Sequence, residues 1–470
     1  MSTADHYDTI SIGSGEAGKY ICWNRASTGK KTAVIEHKWL GGSCPNVACL
    51  PSKNVIYSAE VLHEAKRFAA SGLLKLSGDL GVDMNMVRER KREMVRGLIG
   101  MHESVFEHSG AELVLGHGRL IEPKTVEVEL EDGGKRVMTA DHVIICTGSR
   151  ARIDSTPGLK DANPLTHVEL LELDEVPKHL IILGGGYSGI EFAQAYRRLG
   201  AEVTVVERNA RILAKADEDV SSALVDILRA EGIEFYTSTV IEKVTGTSGQ
   251  SVNLTGMRDN FPFLLSGSHL LVTSGRIPNT EDVGLESVGV ELSSSGHVKV
   301  NEYLQTSVPS NFAVGDCARS PHFTHIGFDD FRVVRDFLNS TTPVRSTASR
   351  QVPYTLYTSP ELAHVGLSED EALKKGIAYR LAKLSMAAFL RTRTMDATSG
   401  FAKALVSATE DTILGFTALG PRAGELLPVV QLAMANGLPY TSLTELIVTH
   451  PTMNEGLVSL FGSVPKMWTK

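Results

Sequence analysis

Residues 7–36, YDTISIGSGEAGKYICWNRASTGKKTAVIE, open on an alternating strand at Tyr7–Ile12 and turn through Gly13-Ser14-Gly15-Glu16-Ala17-Gly18. A helix around Gly18–Thr28 and a second strand, Thr32–Glu36, complete a βαβ unit. The glycines stand where a tight turn (Gly13), close approach of a pyrophosphate (Gly15) and close helix packing (Gly18) each require a missing side chain. The helix N-terminus then meets phosphate charge, and Glu36 closes the second strand where an acid hydrogen-bonds ribose hydroxyls. The same grammar returns at 180–207. There a strand, His179–Leu183, is followed by Gly184-Gly185-Gly186-Tyr187-Ser188-Gly189, a helix over Ile190–Leu199 ended by Gly200, and a strand over Glu202–Glu207. Two such units imply two nucleotides. Glu207 favours the free 2′-hydroxyl of NADH, whereas Arg208 and Arg211 just beyond it are able to bind a 2′-phosphate or to form a solvated surface, so both nicotinamides stay open.

Cys44-Pro45-Asn46-Val47-Ala48-Cys49 lies just past the first unit. Two thiols five apart on a regular helix have Cα atoms about 8 Å apart, beyond the roughly 7 Å reach of a disulfide. Pro45 as the first helical residue would leave Cys44 outside the helix, free to bend back towards Cys49. A helix start also favours a thiolate, and Lys53, one turn beyond Cys49, adds positive charge on the same face. Zinc would need two further ligands nearby, and none is present. Cys22, Cys146 and Cys317 sit in apolar or small-residue contexts and read as core filling. At the other end, His450-Pro451-Thr452-Met453-Asn454-Glu455 carries an imidazole and a carboxylate. If the loop curls back, Glu455 orients His450 for proton exchange with a thiol, although this spacing alone more often marks a surface pair.

The chain has 470 residues, so two to four domains are expected. Its net charge of -8 argues against a nucleic-acid partner, and no apolar run approaches a membrane span. The N-terminus has no basic segment leading into an apolar stretch, so a cytoplasmic or organelle-matrix location is expected. Residues 55–109 carry a long charged helical pattern read as a solvated cover without chemistry. Strand-rich stretches ending in Cys146-Thr147-Gly148 and Thr273-Ser274-Gly275 read as crossings between domains, and the alternation beyond about 346 suggests an α+β domain. The expected division is 1–152 and 275–345 for the first nucleotide domain, 153–274 for the second, and 346–470 for a C-terminal dimerisation domain.

Taken in order, Gly13–Gly18, GGSCPNVACLPSK (41–53), Thr147-Gly148, Gly184–Glu191, SGRIPN (274–279), VGD (314–316) and HPTMNEGL (450–457) resemble the class I flavoprotein disulfide reductases over nearly the whole chain. The resemblance implies an α/β fold of two Rossmann-like domains plus an α+β interface domain, with FAD and NAD(P)H as cofactors. FAD would lie along Gly13, Gly15 and Gly18 with Glu36 on its ribose. Gly42, Ser43, Lys53, Thr147, Gly148 and Asp316 would complete its site. NAD(P)H would occupy Gly184, Gly186, Gly189, Glu207, Arg208 and Gly275, with Tyr187 gating the nicotinamide pocket. Cys49 would stand beside the flavin and Cys44 would attack substrate. Lys53 and Glu191 would pair near flavin N5, and His450 and Glu455 would act from the opposite subunit of a homodimer.

Within the family, FTHIGFDDFRVV (323–334) and the HPTMNEGL ending resemble the branch of mercuric reductases and dihydrolipoamide dehydrogenases, which includes flavoproteins of reactive-chlorine resistance. The last cysteine is Cys317, so neither a C-terminal cysteine pair that receives mercuric ion, nor an N-terminal metal-binding domain, nor a resident metal is expected. The leading expectation is therefore an NAD(P)H-dependent reductase of a small-molecule or protein-bound disulfide. One alternative is a flavin reductase of metal ions or quinones, and another is a catalytically silent, redox-sensing FAD protein.

Overall fold

The computed structural model describes residues 5–75, 78 and 80–467. Strands β1 (Asp5–Ile12), β2 (Thr32–Glu36), β3 (Glu112–Glu122), β4 (Thr125–Leu130) and β5 (Lys135–Ile145) form one sheet with the later strand Asn311–Ala313. β1 lies between β2 and β5, parallel to both, and β2 continues in parallel to β3. Such a parallel centre is covered on both faces, which is why all five residues of β2 are buried rather than alternating. Helix α1 (Glu16–Ser27) packs on the helix Thr324–Leu338, with Tyr20 edge-on to Phe328 at 4.9 Å. Gly13, Glu36 and Cys146 thus gather at the carboxyl ends of β1, β2 and β5, where open α/β sheets bind ligands.

The second unit is a four-stranded parallel sheet in the order 269–272, 179–183, 202–206, 233–236, flanked by an antiparallel meander over 239–267. Beyond it, five antiparallel strands between 354 and 420 are backed by the helices Ala423–Ala435 and Glu455–Gly462, with Phe389, Phe416 and Phe461 in their core. The two expected crossings run side by side: Ser149–Ala151 pairs antiparallel with Arg276–Pro278. Arg276 ties the pair by donating to Ser149 Oγ and to its carbonyl at 2.6 and 2.8 Å. The charged stretch after the cysteines becomes two long helices, α3 (Cys49–Ala70) and α4 (Met84–Ser109), preceded by the short α2 (Ser43–Asn46). Asp83 caps α4, accepting from the N–H of Asn85 and Met86. Among the described residues no helix is long and apolar enough to cross a membrane.

Candidate active site

The first glycine turn is dictated by packing. A Cβ at Gly13 would stand 2.3 Å from the Cys146 carbonyl oxygen, and one at Gly18 2.3 Å from Ser11 Oγ. Glu36 is buried, and its carboxylate accepts from the backbone N–H of Ser14, His37, Lys38 and Trp39 and from Ser14 Oγ at 2.6 Å. Around the turn the backbone lies open. Gly148 and Gly315 both have φ +68°, and nothing stands within 4 Å of where a Cβ would be. Thr147 Oγ1 is buried with no hydrogen-bond partner. An open glycine backbone, an unpartnered hydroxyl and a helix N-terminus fit the phosphates and sugar chain of a dinucleotide such as FAD. Asp316 borders this space, accepting from Ser149 Oγ and lying 3.5 Å from Arg276 Nε. Gly42 closes one side; a Cβ there would come within 2.8 Å of Gly15 Cα, so the cysteine loop rests directly on the glycine turn.

That loop departs from expectation in how it brings the thiols together. Pro45 does not open the long helix; it lies inside α2 together with Cys44, and Cys49 is the first residue of α3. The chain breaks at Val47 (φ -141°) and Ala48 (φ -127°, ψ -101°), and this break replaces the helical spacing that would hold the sulfurs apart. Asn46 fixes the turn by donating from Nδ2 to the carbonyls of Leu40 and Gly42, both at 2.8 Å. Proline is harmless in so short a helix because its missing N–H has no partner to lose.

Both thiols are free and half-buried. Cys49 Sγ lies 3.1 Å from Thr324 Oγ1, at the start of the helix Thr324–Leu338. Lys53 reaches Glu191 at 2.8 Å, and Glu191, 6 % exposed, is fixed by the N–H of Tyr357 at 2.9 Å. A hydrogen bond from the Cys44 thiol, then Thr324 and the Lys53 ammonium, outweigh burial and bring the Cys49 thiol down to about 6. Cys44 is pushed up by holding its proton towards Cys49 and by burial. Cys49 therefore ionises first. Cys22, Cys146 and Cys317 are buried, as the sequence implied, and burial raises all three.

In the second unit, a Cβ at Gly189 would meet the Gly184 carbonyl oxygen at 2.1 Å, whereas nothing lies within 4 Å of one at Gly186. Glu207 is buried at the strand end and accepts from the N–H of Gly185 and of Asn209, both at 2.8 Å. Arg208 is exposed, while Arg211 faces Glu218 and Asp370 at 3.7 and 3.8 Å. Tyr187 packs against Tyr354 and Phe323, with ring centres 5.2 and 6.0 Å away, and Gly275 lies in the adjoining crossing with φ +143°.

His450 and Glu455 do form a pair, with Nδ1 3.0 Å from Oε1. His450 is 64 % exposed, and among the described residues it makes no hydrogen bond to either cysteine of its own chain. Sequence reading assigned no role to Thr324 or Tyr357. Thr324 lies within the quoted stretch 323–334, but only tertiary packing brings it to Cys49 from 275 residues away.

Residues 7–330 match the family described as pyridine nucleotide-disulphide oxidoreductase, and residues 352–461 match its dimerisation domain. The mitochondrial dihydrolipoyl dehydrogenase of Dictyostelium discoideum is 32% identical over 460 residues, 97% of this chain and 93% of that one. Leghemoglobin reductase of Vigna unguiculata is 33% identical over 461 residues, 97% of this chain and 87% of that one. Among solved structures, the HOCl-induced flavoprotein disulfide reductase RclA of Escherichia coli superposes with a TM-score of 0.88 at 30% identity, covering 98% of this chain and 100% of RclA. A Cu(II) complex of RclA matches with the same score and identity over 97% of this chain and 99% of that one.

Proposed function

The chain belongs to the pyridine nucleotide-disulphide oxidoreductase family and is an FAD-dependent NAD(P)H disulfide oxidoreductase with a dimerisation domain; from that premise we propose that Cys44 and Cys49 are its redox pair, and that a second copy completes each site with His450 and Glu455. The observation that carries this reading is the Cys49 environment, in which Cys44, Thr324 and Lys53 all favour the thiolate. Gly13, Gly15, Gly18, Glu36, Gly42, Ser43, Thr147, Gly148 and Asp316 hold the FAD. Gly184, Gly186, Gly189, Glu207 and Gly275 hold the nicotinamide dinucleotide. With Glu207 at the strand end and Arg211 turned to Glu218 and Asp370, NADH is the preferred donor over NADPH. The proposed domain divisions fall at 152, 274 and 345, and the proposed location is cytoplasmic.

FAD held by these residues would supply the two-electron chemistry that links hydride from the nicotinamide to the dithiol. The Cys44–Cys49 disulfide takes up those electrons and one proton, leaving Cys49 as thiolate beside Lys53 and Cys44 as thiol. His450 removes the Cys44 proton, and the Cys44 thiolate attacks one sulfur of the substrate disulfide. A mixed disulfide forms, and the first product thiolate leaves with the proton from His450. Cys49 then attacks Cys44, breaking the mixed disulfide, releasing the second thiolate to be protonated and restoring the starting disulfide. The substrate is a small-molecule or protein-bound disulfide. The second reading, reduction of a metal ion through the same thiols, draws on the Cu(II) recorded with RclA.

Anaerobic titration of the purified FAD-loaded protein with NADH and separately NADPH tests the reading. A long-wavelength band at two electrons, from the Cys49 thiolate against oxidised flavin, is expected, with NADH the faster donor. Bleaching straight to reduced flavin would exclude the dithiol from the path.

A further inference from the structure

Lys19 projects from the end of the first turn of α1 and is 3 % exposed, an unusual burial for an ammonium. Its three N–H bonds are all used: Nζ lies 2.8 Å from Glu16 Oε2, 3.0 Å from His102 Nε2 and 3.4 Å from the Gly41 carbonyl oxygen. His102 comes from α4, the helix whose sequence suggested only a solvated face. Its Nδ1 lies 2.7 Å from the Leu98 carbonyl and must donate there, so Nε2 carries a lone pair towards Lys19. Burial and the neighbouring ammonium hold the proton affinity of this imidazole below the usual range.

The junction sits directly beneath the redox loop. Gly41 has φ +88°, and a Cβ there would lie 3.0 Å from both His102 Nε2 and Pro45 Cγ, so the imidazole is packed under the residue next to Cys44. On its other side Glu16 abuts the helix that carries Thr324; a Cβ at Gly327 would meet Glu16 Cβ at 3.4 Å. One buried cation therefore joins α1, α4 and the Gly41–Pro45 turn, between the elements that present Cys44 and the helix that contacts Cys49. Removing one partner from such a buried group leaves the others unpaired, so the junction holds the turn only while all three side chains are present.

We propose that Lys19, Glu16 and His102 are positioning residues for the dithiol, holding the Gly41–Pro45 turn so that Cys44 stays within bonding reach of Cys49 and the disulfide is favoured. Without the junction the turn loosens and the effective concentration of one thiol at the other falls. Ring closure is then less favourable and the pair easier to reduce. The inference rests on the reading that Cys44 and Cys49 form a cycling disulfide.

The test is to equilibrate the FAD-loaded protein in buffers of reduced and oxidised dithiothreitol and to count free Cys44 and Cys49 by alkylation and mass spectrometry. His102→Leu and Lys19→Met are expected to shift the equilibrium at least tenfold towards the dithiol, about 30 mV for this two-electron couple. His102→Gln, which keeps an acceptor for Lys19, is expected to stay within threefold of wild type. If His102→Leu loses FAD, His102→Asn replaces it, since its shorter amide stops short of Lys19, and the same tenfold shift is expected. An unchanged equilibrium in these acceptor-deleting variants, or an equal shift in His102→Gln, would overturn the proposal. The underlying reading fails separately, if wild type forms no Cys44–Cys49 disulfide anywhere in the buffer range.

Discussion

Cys49 meets Cys44 and the positive charge of Lys53 from its own neighbourhood and Thr324 from 275 residues away, and Lys53 is in turn tied to a buried Glu191 from a distant helix. His450 is 64 % exposed and meets only Glu455, five residues along its own loop. Both regions carry ionisable groups in short motifs, yet one is enclosed by its own chain and the other faces outwards beside Ile447, which is fully exposed. The contrast teaches where the chemistry divides. Accepting electrons and stabilising the thiolate need fixed neighbours, and one chain supplies them. Managing the substrate's protons needs a group that reaches a cleft from outside, and an exposed His–Glu pair on a dimerisation domain suits that task.

Substitutions break this comparison to different depths. Cys44→Ser is expected to lower disulfide turnover by about 10³-fold or more, because the attacking sulfur itself is gone, while NADH-driven reduction of a quinone persists. Steady-state assays with the two acceptors check this, and equal loss in both would disprove the division of roles. His450→Gln should cost about 10²-fold in disulfide turnover, the usual scale of a lost proton-transfer group, with flavin reduction by NADH unaltered in stopped flow. Glu455→Gln should cost about tenfold, near the loss of one charge-assisted hydrogen bond of about 1.4 kcal/mol. A fall as deep as that of His450→Gln would mean that Glu455 does more than orient the ring.

The smallest effect sharpens the dithiol side. A lowered thiol is charged above its midpoint and loses that charge as pH falls through it. Iodoacetamide labelling of Cys49 in the reduced protein should therefore hold above about pH 6 and drop below it. Lys53→Met removes the cation that helps hold the thiolate, and the labelling midpoint should move upwards. A midpoint unmoved in Lys53→Met would leave the neighbouring thiol and Thr324 as the whole cause.

Much of this was legible in the sequence, because glycine turns, cysteine spacing and strand periodicity are local signals. The two βαβ units, the Cys44–Cys49 pair and the three core cysteines needed no tertiary information. Pro45 misled because its preference for a helix start is real but was met inside the four-residue α2, leaving Cys49 to open the long helix. Thr324, Tyr357, Lys19 and His102 carry no local mark. Their positions depend on helices packing from distant parts of the chain, and a charged helical face such as 84–109 reads as solvated until its neighbours are known. His450 and Glu455 were readable as a pair, but spacing holds no information about a second copy.

The shared site is tested most directly by mixing Cys44→Ser and His450→Gln homodimers under conditions that let subunits exchange. In a mixed dimer one site carries both lesions and the other none. Random reassortment should therefore raise disulfide turnover from near zero to about a quarter of wild type, since half the dimers are mixed and each holds one intact site of two. Turnover that stays at the level of the parents, with mixed dimers demonstrated by native mass spectrometry, would contradict the assignment of His450 to the opposite copy.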